Sequence, residues 1–158
     1  MAALPDDLLE RVLDRLPVAR LAVIDDDGVP DVMPIVFARV GQRLFSPIDG
    51  KPKKSARLSR LTHIQRRPQV GLVLDHYDAD WQQLWWIRVS ALATIVVAEH
   101  ADWDAAVAAL TTKYPQYRAT PLFTGTPTMI CFEYRKLRWW GASGVGGITQ
   151  WLRMTASA

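Results

Sequence analysis

The sequence predicts a single mainly β domain with short helices, in which about six antiparallel strands form a closed or nearly closed barrel. Most periodic segments alternate with period two and are rich in β-branched and aromatic residues, as strands are. Two or three helical segments interrupt the strands without the regular β–α alternation of parallel-sheet proteins. The length of 158 residues fits one domain with its own core.

The strands are predicted from this alternation and from the turn residues between them. Asp26-Asp27-Gly28 is a hairpin signal. Pro34 in the returning strand favours an edge position, because proline cannot donate a ladder hydrogen bond. The predicted strands are Val18–Asp25, Val29–Val40, Arg43–Ser46, Gln69–His76, Trp81–Ala98 and Thr128–Trp140. In the last strand the residues expected on one side are Met129, Cys131, Glu133, Arg135, Leu137 and Trp139.

Apolar residues at helical spacing predict three helices. They are Asp6–Leu16, a short helix that follows Ser55, and Ala101–Tyr114, and prolines at 17, 68 and 115 stop them. Thr120–Pro127 is predicted to be a loop. The four glycines at 141, 144, 146 and 147 predict a loosened tail after the last strand.

The segment Ser46–Pro68 concentrates the positive charge of the chain. It holds seven Lys and Arg against one Asp, a balance of +6 in a chain whose net charge is +3. Ser55 stands where a helix N-cap belongs, so the free N–H groups of the first turn would lie beside Lys53 and Lys54. This arrangement favours a phosphate-binding site. A solvated helix face is the alternative interpretation.

Composition excludes several classes of protein. The single Cys131 rules out an internal disulfide and a thiolate zinc cluster. No apolar run reaches the roughly 20 residues of a membrane-spanning helix, and residues 1–16 lack the pattern of an export signal. We therefore expect a cytoplasmic protein with no membrane partner. Seven Trp residues predict large flat surfaces for packing, for a ligand or for a second subunit.

Other possible sites have weaker support. Asp75, His76, Asp78 and Asp80 match neither a calcium loop nor a zinc motif. The three histidines make no convincing pair with Cys131 or a serine, so a catalytic triad is not expected. A basic patch beside exposed aromatics is also how single-stranded nucleic acid is held. Because the rest of the chain is net acidic, we expect no nucleic-acid partner.

Several short motifs carry a resemblance to a known family. They are the Asp-Gly hairpin, Met33-Pro34-Ile35-Val36-Phe37, Phe45-Ser46 leading to Lys53-Lys54-Ser55, Arg67-Pro68-Gln69-Val70, and Trp85-Trp86-Ile87-Arg88-Val89. In this order, from about Val18 to Trp140, they resemble the pyridoxamine 5′-phosphate oxidase-like split-barrel proteins that bind FMN or the deazaflavin coenzyme F420. The passage from Tyr77 to Arg88 is most similar to the F420-dependent oxidoreductase branch.

The resemblance implies a six-stranded antiparallel split β-barrel that forms a homodimer, with the cofactor at the interface. It assigns the cofactor phosphate to Lys53 and Lys54, assisted by Ser55 and Arg57. The backbone of Met33, Pro34, Ile35 and Val36 would border the ring, and Ser46 would supply a hydroxyl. The segment Arg138-Trp139-Trp140 would approach the cofactor of the partner subunit, with Trp139 and Trp140 as its cofactor contacts. His63 stands where relatives often have Asn, and no role is assigned to it.

Three functions follow as hypotheses. The first is an oxidoreductase that transfers hydride between F420 and a small organic acceptor, with FMN as the alternative cofactor and no essential nucleophile, because the cofactor carries the chemistry. The second is a split-barrel protein that binds flavin or haem without turnover. The third is a basic nucleic-acid-binding barrel. The sequence identifies neither the substrate nor the proton donor.

Overall fold

The computed structural model describes residues 2–48 and 54–156, and for residues 54–58 it describes the backbone alone. It contains four α-helices, two short 3-10 helices at Trp81–Gln83 and Pro115–Arg118, and seven strands. The α-helices are α1 Asp6–Arg15, α2 Lys54–Arg66, α3 Trp103–Lys113 and α4 Val145–Thr155. The strands are β1 Ala19–Ile24, β2 Pro30–Ile35, β3 Ala38–Val40, β4 Arg43–Pro47, β5 Gln69–His76, β6 Trp85–Val96 and β7 Met129–Gly141.

All seven strands form one antiparallel sheet in the order β2-β1-β5-β6-β7-β4-β3. The outermost strands, β2 and β3, are separated in sequence only by Val36 and Phe37. A link of two residues can join opposite edges only if the sheet curls until those edges approach each other. The sheet is therefore an open, curled half-barrel. The mainly β, antiparallel class predicted from the sequence is confirmed, with seven strands where six were expected.

The extra strand arises because the predicted strand Val29–Val40 bends at Val36 and Phe37. The backbone N–H of Phe37 donates to the Tyr114 hydroxyl at 3.0 Å, so it is satisfied by a side chain instead of a neighbouring strand. Pro34 lies in β2, at the predicted sheet edge.

The core has two parts, one on each side of the sheet. The larger part fills the concave side and takes residues from β1, β5, β6 and β7 together with α1, Ile64 of α2, and α4. The smaller part lies where α3 packs against β3, β4 and the start of β7. Strand β4 is buried on both faces as a result, with Leu44 in one cluster and Phe45 in the other.

Strand β7 changes face in the middle. The register against β6 shifts between Ser90 and Ala91, where Tyr134 and Lys136 are the successive partners and Arg135 is the extra residue. Before this bulge the even-numbered residues face the larger core, and after it the odd-numbered ones do. The prediction that Met129 and Trp139 share a side is therefore wrong.

Two further predictions need correction. The glycine-rich tail is not loose: α4 forms there because Ile148, Trp151 and Leu152 bury one face of the helix. Helix α2 begins at Lys54, so Ser55 lies inside the first turn and not at the N-cap. Among the helices of the described residues, none is long and apolar enough to cross a lipid bilayer.

Candidate functional site

Strand β2 is an edge strand, so one side of its backbone pairs with β1 and the other has no strand partner among residues 2–48 and 54–156. It carries three of the residues assigned to the cofactor ring. Ile35 is buried in the core, Met33 is half-buried against it, and Pro34 is exposed on the opposite face. Val36 follows in the bend. The unpaired edge offers backbone hydrogen-bonding groups to a planar ligand.

Helix α2 contacts β2 through Arg60, whose guanidinium donates to the Met33 sulfur at 3.2 Å. The helix start lies six residues before Arg60, which is about 9 Å along the axis. The backbone of Lys54, Ser55 and Arg57 forms the first helical turn, whose N–H groups lack helical acceptors. Lys53 lies outside the described residues. This contact brings the predicted ring segment and the predicted phosphate-binding turn onto neighbouring elements.

Ser46 is placed at the end of β4, opposite Ile130 of β7. Within the described part of the chain it is the one polar side chain that is almost fully buried, with 3% exposed. Ser46 lies two residues before the end of the described segment 2–48. It stays a candidate cofactor contact.

Trp139 and Trp140 face opposite sides of β7. Trp139 is buried, and its indole N–H donates to the carbonyl of Ala2 at 2.9 Å. Trp140 is 42% exposed and stacks on Trp86, its cross-strand neighbour, with ring centroids 6.5 Å apart. Trp140 is the member of the pair that a ligand or a second subunit could reach.

The convex surface of the sheet, which we call the outer sheet face, carries cations and aromatic rings in rows. One row crosses five strands, because each residue in it is the cross-strand partner of the next: Pro34, Arg20, Val73, Arg88 and Arg138. The next row holds Val32, Ala22, Gly71, Ser90 and Lys136. Four strand spacings separate β2 from β7, about 19 Å. Trp140 therefore lies four strands away from β2 along the sheet of one protomer.

Part of this charge is neutralised. Arg20 forms an ion pair with Asp75 at 2.6 Å, and the Arg88 guanidinium lies 4.6 Å from the centre of the Trp86 ring. Arg88, Lys136 and Arg138 have no acidic partner among the described residues. Arg88 and Arg138 stand in motifs that carry the family resemblance, but none of the three is among the binding residues predicted from the sequence. The sequence signal for them was the period-two spacing of Trp86, Arg88 and Ser90 in one strand and of Lys136, Arg138 and Trp140 in another. These residues are cross-strand partners in the sheet.

The acidic turn after β5 has a structural use. An Asp78 carboxylate oxygen accepts the Asp80 N–H at 2.8 Å, and Asp80 accepts the Gln82 N–H at 3.0 Å, which starts the short helix that follows. Cys131 is buried in the smaller core, and burial raises the pKa of its thiol to about 11. A thiol with this pKa remains protonated at neutral pH and is a poor nucleophile.

No protein-family model and no curated protein matches the chain. Solved structures do. A protein described as the haem storage protein HutZ from Vibrio cholerae is similar with a TM-score of 0.64 and 16% identity, over 86% of this chain and 93% of that one. A candidate pyridoxamine 5′-phosphate oxidase from Listeria innocua is similar with a TM-score of 0.58 and 17% identity, over 84% of this chain and 95% of that one. A protein described as FAD-binding from Mesorhizobium loti is similar with a TM-score of 0.62 and 16% identity, over 86% of this chain and 92% of that one.

These likenesses establish the fold. The chain has the split-barrel architecture of proteins described as flavin-binding or haem-storing, and the fold expected from the motif resemblance is confirmed at that level. Identities of 16–17% carry no residue-level assignment.

Proposed function

We propose that this protein is a flavin- or deazaflavin-dependent oxidoreductase that acts as a homodimer, with F420 as the preferred cofactor and FMN as the alternative. The observation that carries the proposal is the Arg60–Met33 contact, which joins the basic helix α2 to β2, an edge strand of the sheet in the described residues. A planar ring with a phosphate needs both features, one for its body and one for its anionic group.

Each part of the chain would have a separate task in binding. Lys53, Lys54, Ser55 and Arg57 would hold the phosphate, together with the free N–H groups of the α2 first turn. The open edge of Met33–Val36 would hydrogen-bond the polar rim of the ring. Ser46 would add a hydroxyl from the end of β4. The side chains would thus orient the ring and exclude water.

The bound cofactor would supply the hydride chemistry, transferring to or from a small organic acceptor. The protein would need to hold acceptor and ring together and to keep solvent away from them. No nucleophilic side chain is required for this, in agreement with the high pKa of the Cys131 thiol. Arginine or tyrosine residues at the interface, or solvent, would supply the proton.

The homodimer is supported by the outer sheet face. Trp140 and Val32 on this face are 42% and 63% exposed, and Tyr77, which lines a surface pocket with Trp86 and Trp140, is 74% exposed. Monomeric proteins rarely leave so much aromatic surface uncovered. A second subunit on this face would bring its own Trp140 towards β2 of the first subunit, whereas the Trp140 of the first subunit lies four strands away from β2 along the sheet.

The test is to identify what the purified protein binds. F420 and FMN would be titrated separately, and binding followed by cofactor absorbance and by Trp fluorescence. We expect tighter binding of F420 and loss of reduced cofactor when quinone or enone acceptors are added. Binding without acceptor-dependent turnover would reject the oxidoreductase. Failure to bind either cofactor would reject the site as well.

A carrier without turnover is the second candidate. The likeness to a protein described as haem-storing supports haem as its ligand, and FMN would be the flavin alternative. A Soret band after haem addition, together with no acceptor-dependent oxidation of F420 or FMN, would favour this candidate.

A further inference from the structure

A cavity of about 760 Å³ lies beside the second half of β7. Strand β4 pairs with β7 only at Met129–Glu133. From Tyr134 to Trp139, β7 therefore has β6 on one side and no strand of the described residues on the other. The cavity occupies the space along this open edge. Its opposite walls come from α1 with the residues before it, and from the turn at Gly41 and Gln42. A volume of this size is in the range of small-molecule sites.

The walls are held in place by specific contacts. The indole N–H of Trp139 donates to the Ala2 carbonyl at 2.9 Å, which fixes the segment before α1. Two nitrogens of Arg39 donate to the Asp14 carboxylate at 2.9 and 2.8 Å, which fixes α1 against β3. The cavity is therefore a built feature of the fold and does not depend on one loose side chain.

One end of the cavity is apolar. Leu9 and Leu13 project from α1, and Leu137 faces them from β7. Leu13 is almost fully buried, while Leu9 and Leu137 are half-buried against the core. A ligand body placed here would remove apolar surface from water, which stabilises binding in proportion to the area covered.

The rim is cationic. Lys136 and Arg138 line it, are exposed, and have no acidic partner among residues 2–48 and 54–156. The other charges are largely compensated, since Arg39 is paired with Asp14 and Glu10, and Arg135 lies 3.5 Å from Glu133. Asp6 is the remaining acidic group of the lining. Two free cations against one free acid favour an anionic group at the rim.

We propose that this cavity is a second ligand site, separate from the proposed cofactor site, and that it binds an organic monocarboxylate with an apolar body. The carboxylate lies between Lys136 and Arg138, and the apolar body lies on Leu9, Leu13 and Leu137. The inference does not depend on the proposed oxidoreductase function.

The test uses dansylaminoundecanoic acid as a fluorescent probe, with decanoate, decanol and decylamine as competitors. We expect decanoate to displace the probe most strongly, decanol weakly and decylamine least. Decanoate affinity should also fall as salt rises. Equal competition by decanol and decanoate would overturn the proposed recognition of a carboxylate, and no probe binding would overturn the site.

Variants locate the site. Leu9→Trp fills the cavity and should abolish probe binding, and Ala3→Trp gives an independent block from the segment before α1 if the first variant folds poorly. Neither position lies on the outer sheet face, so neither changes the proposed dimer surface. Circular dichroism confirms folding. Binding at wild-type strength in a folded Trp variant would overturn the assignment to this cavity.

Charge variants test the head-group position. Lys136→Gln with Arg138→Gln should weaken decanoate binding about five- to tenfold, as expected for two exposed charge contacts. Both residues also lie on the outer sheet face, so binding is compared at a protein concentration at which sedimentation velocity shows the wild type and the variant in the same oligomeric state. The matched control is Arg11→Gln with Arg118→Gln, which removes the same charge from exposed positions outside the cavity lining. Tyr134→Phe should bind as the wild type, because that hydroxyl is shut off from solvent. A loss in either control equal to that in the rim variant would overturn the carboxylate position.

Discussion

The hydroxyl of Tyr114 lies 3.0 Å from the backbone nitrogen of Phe37 and accepts its hydrogen bond. The same hydroxyl is 2.8 Å from the Phe37 carbonyl and 2.9 Å from the Pro17 carbonyl, to which it can donate. Residue 37 lies in the two-residue link between the outermost strands, where no sheet partner is present. One side chain at the end of α3 therefore supplies the hydrogen bonds that let the sheet turn from β2 into β3.

Replacing this hydroxyl should destabilise the fold. In Tyr114→Phe the ring remains, but buried backbone groups at Phe37 lose their partner, at a cost of about 1–3 kcal/mol. Urea unfolding with an unchanged slope is the measurement. Tyr77→Phe, at a residue 74% exposed, is the matched control and should leave stability unchanged. Equal stabilities for the two variants would show that the bend does not depend on Tyr114.

Lys113 should give the protein a pH-dependent stability above neutrality. Its ammonium group donates to the Leu13 carbonyl at 2.8 Å and lies 3.7 Å from the centre of the Phe37 ring. Burial lowers its pKa from 10.5 to about 7. Between these values the unfolded chain binds the extra proton and the folded chain does not, so the free energy of unfolding rises with pH.

Lys113→Met removes the titrating amine, and with it this pH dependence of the unfolding free energy, while it keeps an apolar side chain of similar length. The difference in unfolding free energy between wild type and variant should shift in favour of the wild type from pH 7 to pH 10, as measured by urea titration at each pH. Parallel pH profiles for the two proteins would mean that Lys113 titrates in the folded state as it does in the unfolded chain.

The sequence predicts strands best where local pattern alone decides the ends of the strand. Gln69–His76 matches β5 to the residue, because Val70 and the apolar run Leu72–Leu74 indicate a buried strand and Pro68 marks its start. The break of Val29–Val40 was not predictable from local pattern, since the bend depends on a hydroxyl 77 positions away. The bulge at Arg135 likewise depends on the register against β6.

The same limit applies to the candidate site. The basic segment and β2 were chosen from the sequence, and the structure places them on neighbouring elements through Arg60 and Met33. The cation row of Arg20, Arg88 and Arg138 was missed because its members come from three strands and align only through the pairing register. Helix α4 was missed for another reason: the glycines outweighed Ile148, Trp151 and Leu152, whose spacing was already helical.

Lys53→Ala with Lys54→Ala should weaken cofactor binding roughly ten- to hundredfold and lower its salt dependence, because charge-assisted contacts to a phosphate are lost. Fluorescence titration with F420 and with FMN, at two salt concentrations, measures this. Arg11→Ala with Arg118→Ala is the control of equal charge. Unchanged affinity in the lysine variant would remove the phosphate assignment while leaving the fold and the dimer untouched.

Trp140→Glu should weaken self-association about ten- to hundredfold, since exposed Trp residues are the usual anchors of protein interfaces and the substitution removes that aromatic surface. Sedimentation velocity over a concentration series gives the dissociation constant. Val97→Glu, at a residue 44% exposed just beyond the other end of β6, is the control. A wild-type protein that stays monomeric at high concentration would reject the homodimer itself.

Gly141 and Gly146 offer a paired test of how β7 leads into α4. A Cβ on Gly141 would lie 2.7 Å from the carbonyl oxygen of Gly144, whose own N–H donates to the Gly141 carbonyl at 3.0 Å. The obstacle is backbone, so Gly141→Ala must displace the turn, and we expect a loss of about 1–3 kcal/mol in unfolding free energy.

A Cβ on Gly146 meets nothing within 4 Å and lies in the first turn of α4. Gly146→Ala should therefore be neutral or stabilise by up to about 1 kcal/mol, because alanine favours the helix. Urea unfolding of both variants gives the comparison, and a Gly141→Ala protein as stable as Gly146→Ala would show that the close approach at the turn does not constrain the chain.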